Sequence, residues 1–476
     1  MVEKASKILY EHLPAVLQNA ALNLYGVGNR RRLREWERHL AVLKGSETWS
    51  REEQITQVAS SLRQVLEHAV AHVPRYRDRA LSVPGHGAPP EAVFESLERF
   101  PIITRAEILE DPVAFLSQRF RPSDLVRTIT SGTTGTPFST WMEPGVKTVT
   151  DALWWRRTAW AGYRNGDWIA RLVGDPVIPL RDRTPDPVYR RSHTDRRLYL
   201  STYHLSDETA GAMFSALVRF QPEFVMGYPS ALDVLSRMGM GRVDPGGWRP
   251  KAILFSSEPM FDHQRAAIEA CFGAPIRGLY GCAERVLSAA ECEEGSYHLS
   301  LVDGFLEGEL GILTPAQPAR ITGLLNQAMP LIRYELGDDL TPSPESPCPC
   351  GRTLPQIDRV MTKHEDVVVT PSGRRISPSI LTWAFKDLPG LERSQIVQVG
   401  AAELEVRVKV AEGAFPAVAA VLQPRIVELV FGEMTVRVIE TGDLSVSVSG
   451  KSRFVVNEWS KGGAHGPEDS GWRHPQ

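Results

Sequence analysis

Apolar residues at Ile55, Val58, Leu62, Val65, Leu66, Ala69 and Val73 recur every three or four positions, the spacing of one helix face. Ser50-Arg-Glu-Glu53 ahead of them reads as a capping box, and Pro74 stops the pattern. Residues 1 to about 75 therefore read as helical, with these apolar positions in a core. A second cap, Thr104 with Glu107, follows the short run Pro101-Ile-Ile. Beyond residue 120 the pattern changes to short buried-type runs: Leu125–Ile129, Trp168–Val173, Leu198–Leu205, Phe224–Ser230, Ala252–Pro259 and Ile276–Gly281. Helical patterns separate them, which indicates an α/β protein with a parallel or mixed sheet flanked by helices. In such sheets ligands sit at the carboxyl ends of the strands, where several of these runs end in Gly, Ser, Tyr or Glu. The last hundred residues form another unit. Leu404–Val410 and Met434–Ile439 alternate as half-buried strands around a helical Ala414–Phe431. The expected organisation is a large domain over 1–361, a small α+β domain over 362–457 and a disordered tail over 458–476.

Composition narrows the class. A chain of 476 residues exceeds one hydrophobic core. Its 42% hydrophobic and 23% charged residues are those of an ordinary globular protein. A net charge of −3 argues against nucleic acid as a partner. No apolar run reaches membrane-span length, and the start lacks signal-peptide order, so the expectation is a cytoplasmic protein with no membrane partner. Arg30-Arg-Arg32 reads as a solvated face. Five cysteines, an odd number, do not make a disulfide framework.

The candidate chemistry starts at Thr128–Pro137, Thr-Ile-Thr-Ser-Gly-Thr-Thr-Gly-Thr-Pro. Gly132 and Gly135 let backbone approach a ligand, and Ser131, Thr133, Thr134 and Thr136 add hydroxyls. Such a loop cradles phosphate oxygens; a surface turn of small polar residues has the same composition. Pro137 stands where a Walker loop needs Gly before Lys, and no G-x-G is present. Cys292, His298, Cys348 and Cys350 offer a Cys₃His set for a structural zinc, or are free thiols and a surface His. Cys271 and Cys282 read as small buried residues. Trp154, Trp155, Tyr203, His204, Tyr228 and Ser256 lie on segments able to face an acid pocket, where aromatics favour an aryl or planar substrate; each also suits core or rim.

Ser131-Gly-Thr-Thr-Gly-Thr-Pro137, Tyr280-Gly-Cys-Ala-Glu284, Gly308-Glu-Leu-Gly311, Tyr334-Glu-Leu-Gly-Asp338 and Gly450-Lys-Ser-Arg453 occur in the order of the adenylate-forming superfamily. Pro330–Tyr334 and Cys348-Pro-Cys-Gly-Arg-Thr-Leu-Pro355 resemble its phenylacetate–CoA ligase and CapK-like branch. The resemblance covers most of residues 60 to 457. It implies ATP-dependent activation of a carboxylic acid, with Mg²⁺, and then transfer to CoA. An amine or a carrier-protein thiol is the alternative acceptor, and a nucleotide binder without turnover the remaining reading. The attacking carboxylate is already ionised, so catalysis is positioning plus charge stabilisation.

By the resemblance, Ser131 to Thr136 hold the β- and γ-phosphates, Glu284 binds Mg²⁺ and Asp338 takes the ribose hydroxyls. Glu258 and Gly278 to Gly281 line the adenine, with Tyr280 stacking on it. Arg352 is a ribose or phosphate contact, or a structural ion pair. Lys451 bridges the substrate carboxylate and α-phosphate during adenylation. The small domain becomes a mobile lid that withdraws Lys451 for the second step. Two departures stand out. Thr362-Lys-His-Glu-Asp366 replaces the usual Gly-Arg-x-Asp-Asp hinge, which puts the CoA pose in question, and Ala283 replaces a common Thr. A homodimer is the candidate assembly; the acid is not legible.

Overall fold

The computed structural model describes residues 9–77, 81–130, 138–174, 177–180, 182, 185–239, 246–315, 318–336, 338–343, 347–361, 367–376, 378–385, 388–441 and 454–459. The chain opens with two helices, α1 (Ala15–Leu43) and α2 (Arg51–His72). The Ser50 side chain accepts from Glu53 N–H while the Glu53 carboxylate accepts from Ser50 N–H, so the capping box forms as expected. Val58, Leu62, Val65, Leu66 and Ala69 are fully buried, and the chain turns extended at Val73 before Pro74. After α3 (Pro90–Glu98), helix α4 (Arg105–Glu110) starts with the matching Thr104–Glu107 box.

A hairpin of β1 (Val126–Thr130) and β2 (Phe138–Met142) pairs Thr130 with Phe138. Helix α5 (Pro144–Trp160) then leads into the main sheet. Its strands in chain order are β3 (Ile169–Leu172), β4 (Tyr189–Ser192), β5 (Arg197–Leu200), β6 (Phe224–Gly227), β7 (Ala252–Ser256), β8 (Ile276–Gly281), β9 (Ser288–Glu291), β10 (Tyr297–Leu299), β14 (Asp339–Pro342) and β15 (Gln356–Met361). A small sheet of β11 (Gly304–Leu306), β12 (Arg320–Gly323) and β13 (Tyr334–Glu335) lies between β10 and β14 in the chain.

The spatial order of the ten strands is β14-β15-β10-β9-β8-β7-β6-β3-β5-β4. From β5 to β8 the strands run parallel; β4 and the β8-to-β14 side are antiparallel. Side chains alternate across the pleat. On β7, Ala252 and Leu254 join Trp155 of α5 and Leu33 of α1. Ile253 and Phe255 face the opposite layer of α6 (Asp207–Phe220), α7 (Pro229–Gly239) and α8 (Asp262–Phe272). A sheet with helices on both faces is the architecture the periodicity implies. One run differs from expectation. Leu198–Leu205 is not one strand: β5 ends at Leu200, and Thr202–His204 is a 3₁₀ turn.

The C-terminal residues build their own sheet. β16 (Val368–Val369) pairs β17 (Arg375–Ile376), and a four-stranded sheet has the order β20 (Thr435–Glu440), β19 (Glu403–Val410), β18 (Leu391–Gly400), β21 (Val455–Asn457). Helix α9 (Phe415–Leu429) covers it, burying Val418, Leu422 and Ile426 against Leu404, Val406 and Val408. Tyr203 joins this cluster from the large sheet's side. Among the described residues no helix is long and apolar enough to cross a membrane.

Candidate active site

Strand β8 ends at Tyr280-Gly281, and the chain then turns through Cys282, Ala283 and Glu284. Two carboxylates here are each held by a phenol. Tyr334 donates to Glu284 Oε1 at 3.1 Å, and Tyr280 donates to Asp338 Oδ2 at 3.0 Å. Burial pushes both phenols well above their ordinary range, and the neighbouring carboxylates push the same way, so both keep their protons and donate. Glu284 also bears on Tyr280 and on the buried Cys282, so the two pairs form one electrostatic group. Two carboxylates converging on one strand end are suited to a hard cation and to sugar hydroxyls.

Tyr280 is only 6% exposed, with its ring in the core beneath α2 and β11–β13. In this arrangement it offers no open face for stacking. Gly278 is also enclosed. Its N–H donates to Glu291 Oε2 at 2.6 Å, and a Cβ there would lie 1.9 Å from the Tyr297 hydroxyl and 2.7 Å from Phe255. Packing thus accounts for this glycine. At Gly281 a Cβ would meet the Trp154 indole of α5 at 3.0 Å. Glu258 follows Ser257, a non-glycine residue at φ 72° just past β7, a strained conformation typical of functional turns. Glu258 Oε2 accepts from Ser230 N–H at 3.1 Å, which puts the carboxylate at the start of α7. Ser256 is the half-buried last residue of β7.

Three acid-pocket candidates lie instead where the C-terminal sheet docks. Tyr203 is buried in that unit's apolar cluster and donates to Gly174 O at 3.2 Å. Tyr228 packs against both this cluster and the α6–α8 layer. His204 is fully buried, with Nδ1 2.7 Å from Ser201 Oγ and its ring 5.4 Å from Phe431. Burial lowers His204 to about 4, so it is neutral at physiological pH. Trp155 belongs to the core behind β7, while Trp154 stays half-buried. Ser131, Gly132, Thr133, Thr134, Gly135, Thr136, Lys451 and the 362–366 hinge lie outside the described residues.

Sequence reasoning passed over Arg285. It has φ 57°, pairs with Asp151 at 2.6 Å and lies 4.3 Å above the Trp154 ring. It thereby ties the Glu284 turn to α5; an arginine beside a motif glutamate carries no pattern of its own. Tyr334 was equally overlooked, although it stands inside a quoted motif.

Arg352 forms ion pairs in this structure. It pairs with Glu293 at 2.7 Å and Glu47 at 3.6 Å and lies 4.1 Å over Trp160. Next to it the sequence-distant Cys292, His298, Cys348 and Cys350 converge, one ligand atom from each within 4.8 Å of the others.

A cavity of about 430 Å³ lies elsewhere, lined by residues such as Glu11, Gln18, Pro179 and Arg190 and by none of the motif residues. The carboxylate pair is the stronger candidate because chemistry, not concavity alone, defines a site.

No family model matches the chain. It is similar to protein CapK of Staphylococcus aureus, 25% identical over 193 residues, covering 40% of this chain and 42% of CapK. It is also similar to a phenylacetate-coenzyme A ligase of Pseudomonas putida, 24% identical over 340 residues, covering 65% of this chain and 70% of that enzyme. Its fold matches 2-hydroxyisobutyryl-CoA ligase in complex with 2-HIB-AMP and CoA in the thioesterification state. The TM-score is 0.53 at 19% identity, over 87% of this chain and 91% of that one. An open conformation of the same ligase gives a TM-score of 0.51 over 87% and 93% of the two chains. In sequence the chain is thus similar to CapK and to phenylacetate-coenzyme A ligases, and in fold to a CoA ligase.

Proposed function

We propose that the chain is an AMP-forming acid–CoA ligase. A substrate carboxylate oxygen attacks the α-phosphorus of ATP; the new O–P bond forms as the bond to pyrophosphate breaks. The CoA sulfur, its proton lost to solvent, then attacks the acyl carbon and AMP departs with the electron pair. The observation that carries this reading is the pair of phenol-held carboxylates, Glu284 with Tyr334 and Asp338 with Tyr280, at the carboxyl end of β8. Sharing one strand end suits them to a metal-bound triphosphate and a ribose. Both fit as oxygen ligands that stay in place, because each is anchored by a buried donor. Mg²⁺ held by Glu284 would neutralise charge on the phosphates. The loop Ser131–Thr136 would wrap the phosphates, and Lys451 would meet the α-phosphate. The domain division at 361/362, with the second unit as a lid, belongs to this proposal.

An aryl or planar acid remains the proposed substrate class, supported now by Trp154 beside Gly281 and less by Tyr203 and His204, which serve the contact with the terminal unit. The acceptor is CoA in this reading. The altered Thr362–Asp366 stretch is the one observation that favours an amine or carrier thiol instead.

Acid-dependent ATP–pyrophosphate exchange tests the first half-reaction. Exchange with at least one aryl acid is expected, and Lys451→Ala should lower it by about 10²–10³-fold. ATP binding with no exchange for any acid would make the chain a nucleotide binder. Adenylate consumed only on adding amines would replace CoA as acceptor.

A further inference from the structure

We infer that Cys292, His298, Cys348 and Cys350 hold one structural zinc ion, which fastens the antiparallel end of the main sheet. A tetrahedral ion with zinc–sulfur bonds of about 2.3 Å and zinc–nitrogen bonds of about 2.0–2.1 Å sets its ligands about 3.8 Å apart for two sulfurs and about 3.5 Å apart for sulfur and nitrogen. Cys292 Sγ lies 3.8 Å from Cys348 Sγ, and Cys350 Sγ lies 3.4 Å from His298 Nε2. The two separations match two edges of that tetrahedron. A disulfide would require about 2.05 Å between the sulfurs.

The surroundings fit the same ion. His298 Nδ1 lies 3.0 Å from Leu354 O, so the proton belongs on Nδ1 and Nε2 faces the three sulfurs with its lone pair. Cys292 and His298 are fully buried, Cys348 nearly so and Cys350 partly; with four protein ligands the set is that of a structural zinc, where a catalytic zinc has three and a water. Three thiolates, one imidazole and Zn²⁺ sum to one negative charge. Arg352 stands beside it: its backbone N–H reaches Cys350 Sγ at 3.5 Å, and its guanidinium is held by Glu293 and Glu47 over Trp160. Trp160 also sets its edge against the His298 ring at 6.1 Å.

The ligands come from the β9–β10 turn and the 347–355 loop. Cys292 follows β9, His298 is in β10, and the loop leads into β15, which pairs with β10. The ion therefore joins two stretches more than fifty residues apart. It also fixes the start of β15, the strand that runs on toward the proposed lid. This inference is independent of the ligase reading, since metal content is measured without substrate.

The test is elemental analysis and thiol counting on the full chain. One zinc per chain is expected, and a chelator with a mercurial should release it together with three thiols. Replacing zinc by Co²⁺ should give the thiolate charge-transfer and ligand-field absorption of a tetrahedral S₃N ion. Cys348→Ser and His298→Ala should lose the metal and melt at lower temperature, whereas Cys271→Ser should keep it. Should the ligand variants fail to fold, chelation of the unmodified chain gives the same reading through its melting temperature. A metal-free chain whose melting temperature does not respond to added zinc, or a Cys292–Cys348 disulfide detected by mass, would overturn the inference.

Discussion

The carboxylate pair and the cysteine–histidine cluster hang from the same antiparallel side of one sheet, yet they are built oppositely. At the first, hard oxygens each accept from a phenol, and the carboxylates come from turns after β8 and before β14. At the second, three sulfurs and a nitrogen gather at one spot, all but Cys350 buried, with hydrogen-bond partners behind His298 and Cys350. Hard oxygen donors suit a cation that keeps other ligands, such as phosphates, while soft donors suit an ion that is never released. If the two proposals hold, one scaffold separates exchange from permanence by donor chemistry and closure, with little help from position.

The contrast can be broken or sharpened by experiment. Between the two regions compared, the largest effect is expected for Glu284→Ala, a loss of about 100-fold in acid-dependent exchange, from the several kcal/mol that metal charge stabilisation supplies. Its melting temperature should change little compared with that of His298→Ala; equal melting losses would erase the distinction between the two regions. Tyr334→Phe should be milder. Removing one donor to a charged group costs roughly 1.5–3 kcal/mol in a buried setting, of which about tenfold should appear as a raised KM for Mg-ATP with kcat less affected. A variant with only a lower melting temperature would demote Tyr334 to packing.

The smallest expected effect is at the docking contact. Burial lowers His204 to about 4 from an ordinary 6.5, opposed by backbone contacts at Asp182 and reinforced by the Arg374 charge. A depressed folded value means that the unfolded chain takes the proton first. Its contribution is full above 6.5 and is lost as pH falls toward about 4. Denaturant midpoints across that interval should fall less steeply for His204→Gln. An unchanged slope would show that His204 is not the titrating group.

What was legible in the sequence was mainly local. Ser50 and Thr104 each cap a helix using residues three positions away, so the chain itself contains both partners. Strand β8 and its turn were legible because their residue types demand a tight, polar end. The cysteine cluster was half legible: donor identity is in the sequence, but convergence depends on β10 pairing with β15. Tyr203 and His204 were assigned to an acid pocket because nothing in their neighbourhood announces Phe431, more than two hundred residues on, as the ring that covers His204. Arg352 was ambiguous for the same reason, its partners Glu47 and Glu293 being distant in the chain.

The enclosure of Gly278 has a practical consequence for mutagenesis. A methyl group at that position has nowhere to go between Tyr297, Phe255 and Glu291, which belong to three neighbouring strands or their ends. Alanine there would press on those side chains and disturb the proposed site through distortion. Scanning this stretch one residue at a time would then report a false nucleotide contact at a backbone that no ligand need ever touch.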